Sequence, residues 1–334
     1  MLVNFDYIKN LWQHIDKNED ISLYVHTPFC KTQCKYCLYS GKINPSDIEV
    51  GHFVKSLKLS LQRIRPILRE RKVKTLYFGG GTPNFYKIED LLSIMDMAYD
   101  ISNPESFILE LNPAFLTEKQ LKDILKRKVT LITFGVQTFK KSTLERHNRP
   151  YTSLEKIVKY TDICHQNNVK VSIDLMCYLN SYSNADIDIL EDDIQKGISS
   201  NVDFITIYPE QNLIKKDKTV ADYFANYLKS KTVKNDYNGY YIDITKENKS
   251  AGWTLKNNPS LVYRLINKKH SYDDFKNNIL PYYENDFADA IHNIIGIGDK
   301  NNSQKVVSYS PNKFFYTEQY AYGEPLYDVK FENT

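Results

Sequence analysis

Cysteine is sparse in this sequence. Five occur in 334 residues, at positions 30, 34, 37, 164 and 177. Disulfide frameworks belong to shorter, secreted chains with denser cysteine, so the expected setting is a cytoplasmic one with reduced thiols. Long apolar runs are also missing. Met1–Asp20 has no core of signal-peptide length, and no later segment approaches a membrane span. No lysine or arginine tract dominates, and the formal net charge is only +3, which argues against nucleic acid as a partner. Internal repeats and low-complexity linkers are absent as well.

What is present suits a globular protein. Hydrophobic residues make up 42% and charged residues 25%, enough for a substantial core in one large domain or two. Residues 1–20 scatter Phe5, Ile8, Leu11, Trp12 and Ile15 as an amphipathic arm. Ile21–His26 alternates at strand period and runs into a cysteine loop. Strands and helices then take turns. Phe53, Leu57, Leu61, Ile64 and Leu68 form one helical face. Thr75–Phe78 reads as a strand ending in Gly79-Gly80-Gly81-Thr82-Pro83. Helix Ile88–Tyr99, strand Phe107–Leu111 and helix Thr117–Arg127 follow, the last opened by a Thr117/Gln120 capping box. Strand Leu131–Val136, helix Ser153–Asn167, strand Val169–Met176, helix Asn184–Ile198 and strand Val202–Tyr208 complete the run.

This alternation predicts an α/β fold of βαβ units on a parallel sheet. A doubly wound sheet and a partial barrel both satisfy it. In either, functional residues gather at the C-terminal strand ends. Those ends carry the cysteine loop, the glycine run, Glu110, Gln137 and Asp174. Beyond Tyr208 the rhythm breaks. Helices are expected at Val220–Lys229, Pro259–Lys269 and Ile279–Ile295, with strand or loop at Gly296–Gly298 and Val306–Tyr316. The chain thus divides into an arm (1–20), a core (21–208) and a smaller α+β accessory or substrate region (209–334).

Cys30, Cys34 and Cys37 are separated by three residues and then two. Thiolates hold iron–sulfur clusters, and three of them leave one iron of a four-iron cluster open to a chelating small molecule. A zinc site competes, but it wants a fourth ligand, and His26 alone is close in sequence. Glycines at 79–81 lack Cβ atoms, so a ligand can approach the backbone closely, though a glycine run after a strand is otherwise just a turn. Taken singly, each polar residue at a strand end is more readily a cap or a surface ion pair than a ligand. Cys164 and Cys177 show no partner pattern; a buried structural thiol is the default for Cys164.

Taken together, Tyr24-Val25-His26-Thr27-Pro28-Phe29-Cys30, the cysteine spacing, Tyr36 before Cys37, and Gly79–Pro83 resemble the radical S-adenosylmethionine (SAM) enzymes of the oxygen-independent coproporphyrinogen III oxidase and heme chaperone family. The resemblance covers residues 21–208. It implies a partial (β/α)6 barrel. It implies a [4Fe–4S] cluster on Cys30, Cys34 and Cys37. It implies SAM held by Tyr36, Gly79, Gly80, Gly81, Thr82, Glu110, Gln137, Arg149 and Asp174, with Tyr24 and His26 as catalytic candidates. The implied reaction is reductive cleavage of SAM to a 5′-deoxyadenosyl radical that takes hydrogen from a small-molecule or natural-product substrate, with C-methylation by a second SAM as one variant. An external donor such as flavodoxin or ferredoxin would supply the electron. Heme or porphyrin handling is the alternative within the family, and an iron–sulfur electron carrier the non-enzymatic one. The sequence departs from the family at Met176–Asn180, where a Gly-Leu-Pro turn is usual, and at Asp299–Asn302, ahead of Ser303. Both departures bear on the substrate rather than on SAM.

Overall fold

In the computed structural model the described residues are 5–37, 41–177, 184–209, 227, 236–237, 240–246, 261–270, 293–298, 306–310, 315–319 and 327–330. Six strands alternate with helices through the core. They are β1 (Ile21–Thr27), β2 (Val73–Gly80), β3 (Ser106–Leu111), β4 (Leu131–Gln137), β5 (Lys170–Cys177) and β6 (Phe204–Pro209). Each pairs in parallel with the next. The fold is the α/β partial barrel.

Helices α1 (Phe5–Gln13), α2 (Asp47–Arg69), α3 (Ile88–Ser102), α4 (Glu118–Leu125), α5 (Lys141–Arg146), α6 (Leu154–Gln166) and α7 (Asn184–Ser199) complete the pattern. Capping fixes where several of them start. Ser46 and Glu49 form a capping box at α2, and Thr117 and Gln120 form the expected one at α4. The apolar face expected on α2, from Phe53 to Leu68, is buried in the core. The N-terminal arm is helical and buries Ile8, Trp12 and Ile15. Arg71 ties it down by donating to the carbonyls of Trp12, Ile15 and Asp16.

Strands beyond the core extend the same sheet. They are β7 (Asp236–Tyr237), β8 (Tyr240–Lys246), β9 (Leu261–Asn267), β10 (Asn293–Ile297), β11 (Val306–Ser310), β12 (Phe315–Gln319) and β13 (Tyr327–Lys330). The thirteen-stranded order is β13-β12-β11-β10-β1-β2-β3-β4-β5-β6-β9-β8-β7. β10 pairs in parallel with β1, while β9 runs antiparallel to β6. Two expectations change here. Pro259–Lys269 is not a helix but contains β9, and the last residues of the helix expected at Ile279–Ile295 lie in β10. Leu261, Val262, Leu265 and Ile266 fit helical spacing, yet an open edge at β6 recruits the segment as a strand. The rest of 279–292, Tyr178–Asn180, Asp299–Ser303 and all of Val220–Lys229 but Tyr227 lie outside the described residues. No helix among the described residues is long and apolar enough to cross a membrane.

The two faces of the core sheet differ in character. Leu23, Val25, Leu76, Phe78, Phe107, Leu109, Ile132, Phe134, Val171, Ile173, Ile205 and Ile207 are all buried and apolar. They alternate with Ser22, Tyr24, His26, Thr75, Tyr77, Glu110, Thr133, Ser172, Asp174, Thr206 and Tyr208, which cross-strand register places on the opposite, mainly polar face together with the buried Ile108, Leu131 and Phe204. The apolar face packs on the helices. The polar face lines the barrel.

At the N-terminal end of the sheet one carboxylate gathers several elements. Asp203, 2% exposed, accepts from the Val171 amide (2.6 Å), His165 Nε2 (2.8 Å), His270 Nε2 (2.6 Å) and Lys269 Nζ (2.9 Å). Burial alone would push its pKa up, but hydrogen bonds from His270, Lys269, Val171 and His165 hold it well below the usual range. A depressed folded pKa means stability that is present above pH 4 and lost in acid. Asp203→Ala leaves the buried Val171 amide and the part-buried His165 and His270 rings without their acceptor. It should lower unfolding stability at pH 7 by about 1–3 kcal/mol. Urea denaturation checks this; a change below about 1 kcal/mol would show the cluster to be incidental.

Candidate active site

The cysteine loop leaves β1 and is stitched to the barrel rim. Phe29–Cys30 pairs with Lys42–Ile43, and the Asn44 amide donates to the Cys30 carbonyl at 3.0 Å. The Cys37 amide donates to the Cys34 carbonyl at 3.1 Å. From the turn after α5, the His147 carbonyl accepts the Lys35 amide at 3.1 Å, and Asn148 Nδ2 donates to the Gln33 carbonyl at 3.1 Å. All five cysteines are free thiols, with Cys34 buried and Cys30 and Cys37 partly exposed.

Two contacts join the loop to strand ends. Cys30 Sγ lies 3.5 Å from Thr82 Oγ1. Arg149 Nη1 donates to Cys34 Sγ at 3.8 Å, while Nη2 donates to the Gly135 carbonyl at the end of β4. Burial works against the Arg149 charge, but Tyr36 and Cys34 beside it more than compensate and raise its pKa. Burial likewise raises the Cys30 thiol, opposed by Thr82 and Arg149. Burial drives the Tyr36 hydroxyl up too, and its ring lies 5.6 Å from that of His147.

The glycine run brings site residues against the backbone of β2. A Cβ on Gly79 would meet Tyr77 Cε1 at 2.7 Å and Glu110 Oε2 at 2.8 Å. Gly80 has φ +104, a region that L side chains rarely adopt, and the His26 ring occupies the space beside it. Cys30 Sγ would lie 2.9 Å from a Cβ on Gly81. The expected glycine role therefore begins with the site's own side chains. Tyr77 donates to Glu110 Oε1, and Tyr24 Oη lies 3.0 Å from His26 Nδ1. The Tyr24 and Tyr77 rings are 5.8 Å apart.

Gln137 ends β4 at a register shift, opposite Leu175, with φ +71. Such a conformation is costly for a non-glycine residue and persists only where the surroundings enforce it. Here Asp193 of α7, 1% exposed, accepts the Phe139 amide at 2.7 Å and fixes the turn that follows. Asp174 pairs in register with Gly135, and together with Tyr208 it adds to the electrostatic field on Tyr77. The structure thus brings the expected residues to one end of the barrel. It adds Tyr77, Asp193, Tyr208, His147 and the Asn84–Asn112 pair. Asn84 Nδ2 donates to the Asn112 carbonyl at 3.0 Å, and the Asn112 amide returns a bond to Asn84 Oδ1 at 2.9 Å.

Residues 24–194, just over half of the chain, match the family described as the Radical SAM superfamily. The chain belongs to that superfamily. It is 29% identical over 191 residues to the heme chaperone HemW of Buchnera aphidicola subsp. Schizaphis graminum, covering 56% of this chain and 50% of that one. It is 32% identical over 154 residues to the oxygen-independent coproporphyrinogen-III oxidase-like protein HemZ of Bacillus subtilis, covering 42% and 30%. The chain spans about half or less of these relatives. The structure of coproporphyrinogen III oxidase (HemN) from Escherichia coli, a radical SAM enzyme, has the same fold. Its TM-score is 0.66 at 14% identity, over 93% of this chain and 69% of that one.

Radical SAM proteins use a [4Fe–4S] cluster and SAM, and the chemistry of this donor set fits both. Three free thiols lie on one loop, and the Arg149 cation beside Cys34 offsets the charge of ligating thiolates. Glu110 offers an acceptor at the glycine run, and Gln137 is held in an enforced conformation at the next strand end but one. Among the described residues, no three Cys, His, Asp or Glu side chains converge to hold a single metal ion.

Asp193 makes the Gln137 turn sensitive to pH. Burial raises its pKa from 3.8 to about 7, against bonds from Thr138 and the Phe139 amide. Between about pH 4 and pH 7 the unfolded chain loses this proton while the folded chain keeps it. Stability present below pH 4 is therefore lost as pH rises through that window, by up to about 4 kcal/mol. Asp193→Asn keeps the acceptor for Phe139 and removes the titration. The slope of unfolding free energy against pH should flatten between pH 4 and 7 in this variant; an unchanged slope would assign the dependence to other groups.

Proposed function

We propose that this protein is a radical SAM enzyme acting on a polar small molecule or natural-product intermediate. Cys30, Cys34 and Cys37 hold the cluster, and Tyr36, Gly79–Thr82, Glu110, Gln137, Arg149 and Asp174 surround SAM. The observation that carries this reading is Arg149. One guanidinium binds a loop cysteine and the β4 strand end together, so the cluster loop and the candidate SAM pocket form a single site.

A [4Fe–4S] cluster held by Cys30, Cys34 and Cys37 would supply one-electron reductive cleavage of SAM, the source of a hydrogen-abstracting 5′-deoxyadenosyl radical. The chain's own contribution is placement and exclusion of water. Thr82 lies beside Cys30 and Arg149 donates to Cys34, contacts that would hold the loop thiols in place for ligation. Glu110 accepts from an ammonium, as a carboxylate does best. His26, bonded to Tyr24 at the mouth of the barrel, is placed to hold or pass a proton at Nδ1. An external one-electron donor of the flavodoxin or ferredoxin kind completes the system, and C-methylation with a second SAM is a variant of the same reading.

The polar side chains toward the C-terminal strand ends, Tyr24, His26, Glu110 and Asp174, support the substrate class. A second reading, heme handling, is favoured by relatives named heme chaperones.

Anaerobic reconstitution should yield iron and sulfide in near-equal amounts. Addition of dithionite and SAM should release 5′-deoxyadenosine, and Cys34→Ala should abolish it. Unchanged release from that variant removes the cluster assignment. Titration with heme separates the two substrate readings, since a new Soret band with micromolar affinity would favour the chaperone.

A further inference from the structure

Tyr77 was legible in the sequence only as one residue of a buried strand, yet in the structure it touches the acceptor assigned to the SAM ammonium. We propose that Tyr77 is a positioning residue for that ammonium: its hydroxyl holds Glu110 flat against the glycine run and so sets the direction in which the carboxylate meets the ligand. The inference rests on the SAM pocket proposed above and adds a residue to it.

The geometry behind it is direct. Tyr77 pairs in register with Ile108, two residues before Glu110 on the neighbouring strand, so both side chains leave the same face. Tyr77 donates to Glu110 Oε1. The other oxygen, Oε2, lies where a Cβ on Gly79 would be only 2.8 Å away. A glutamate at a strand end has three side-chain torsions to restrain, and restraining them ahead of binding lowers the entropy lost on binding. Tyr77 supplies that restraint, and its own ring is fixed by Tyr24 at 5.8 Å. Burial, and then the neighbouring Glu110, push the Tyr77 hydroxyl far above its ordinary pKa. It remains a donor over the whole working range. Any side chain larger than hydrogen at position 79 would displace the pair, which ties the first glycine of the run to Glu110 and not only to the ligand.

The test uses equilibrium binding to reconstituted, full-length protein, with three probes. SAM carries the ammonium and the carboxylate, decarboxylated SAM only the ammonium, and 5′-methylthioadenosine neither. Tyr77→Phe keeps the ring and removes the bond. It should raise the Kd for SAM and for decarboxylated SAM about tenfold, as expected for a bond to a charged group. Affinity for 5′-methylthioadenosine should not change. In a Glu110→Gln background the same substitution should have little further effect. Equal losses for all three probes, full additivity with Glu110→Gln, or no loss for SAM would each overturn the proposal. A thermal melt of Tyr77→Phe within a few degrees of wild type confirms that binding, not folding, is being read. If the wild-type protein binds 5′-methylthioadenosine and SAM equally, the pocket assignment itself fails. Wild-type discrimination between them with none lost in Tyr77→Phe fails this inference alone.

Discussion

The rest of the molecule depends on one constraint, the opposite character of the two faces of a parallel sheet. Parallel strands are commonly buried on both faces and read as continuous apolar runs. Here the core strands largely alternate. The outward side chains, such as Phe78, Leu109, Phe134 and Ile173, seal the helices onto the sheet. The inward face is mixed: Ile108, Leu131 and Phe204 are apolar and buried, and the residues around them are hydroxyls, acids, tyrosines and a histidine. Such a barrel cannot be packed as a dry core without leaving polar groups unpaired. It is a lumen whose rim carries chemistry, and the helices exist to make that lumen affordable.

At the rim, the working parts come from loops and strand ends far apart in sequence, and short-range devices make them converge. Arg149 spans the cysteine loop and β4. Thr82 reaches back to Cys30. Asn84 and Asn112 lock the turns after β2 and β3 to each other. Asp193 fixes the turn after β4 from a helix on the outside. Each of these bonds is buried or nearly so, where an unpaired partner is expensive. A shift in any one of them is therefore resisted by the others.

How much of this was legible beforehand follows from the range of the interactions. The Thr117/Gln120 capping box is written within four consecutive residues, and the structure contains it. The six-strand rhythm and the gathering of Cys30, Glu110, Gln137 and Asp174 at strand ends follow from periodicity and the rules of parallel folds. Tyr77 escaped notice because its partner is 33 residues away and its neighbours look like core. Asp193 was hidden in Glu191-Asp192-Asp193, where a half-buried and an exposed acid precede a buried one in ways spacing does not reveal. Asp203 drew no attention because its donors come from α6, β5 and the turn after β9. The segment at 261–267 misled because its apolar spacing fits a helix as well as a strand, and the free edge of β6 decided between them.

The placement of β10 has a consequence for how the protein is made. The strand that leads into the cysteines, β1, is flanked on one side by β2 and on the other by a segment from close to the far end of the chain. During synthesis, residues 21–27 can pair with β2 early, but their other edge stays open until residues 293–297 emerge. An unpaired edge invites foreign strands, and pairings between distant segments form slowly. The cysteine loop thus hangs from the last strand of the core to be enclosed. That leaves a window in which iron and sulfide can be delivered to the loop before its supporting strand is closed on both sides.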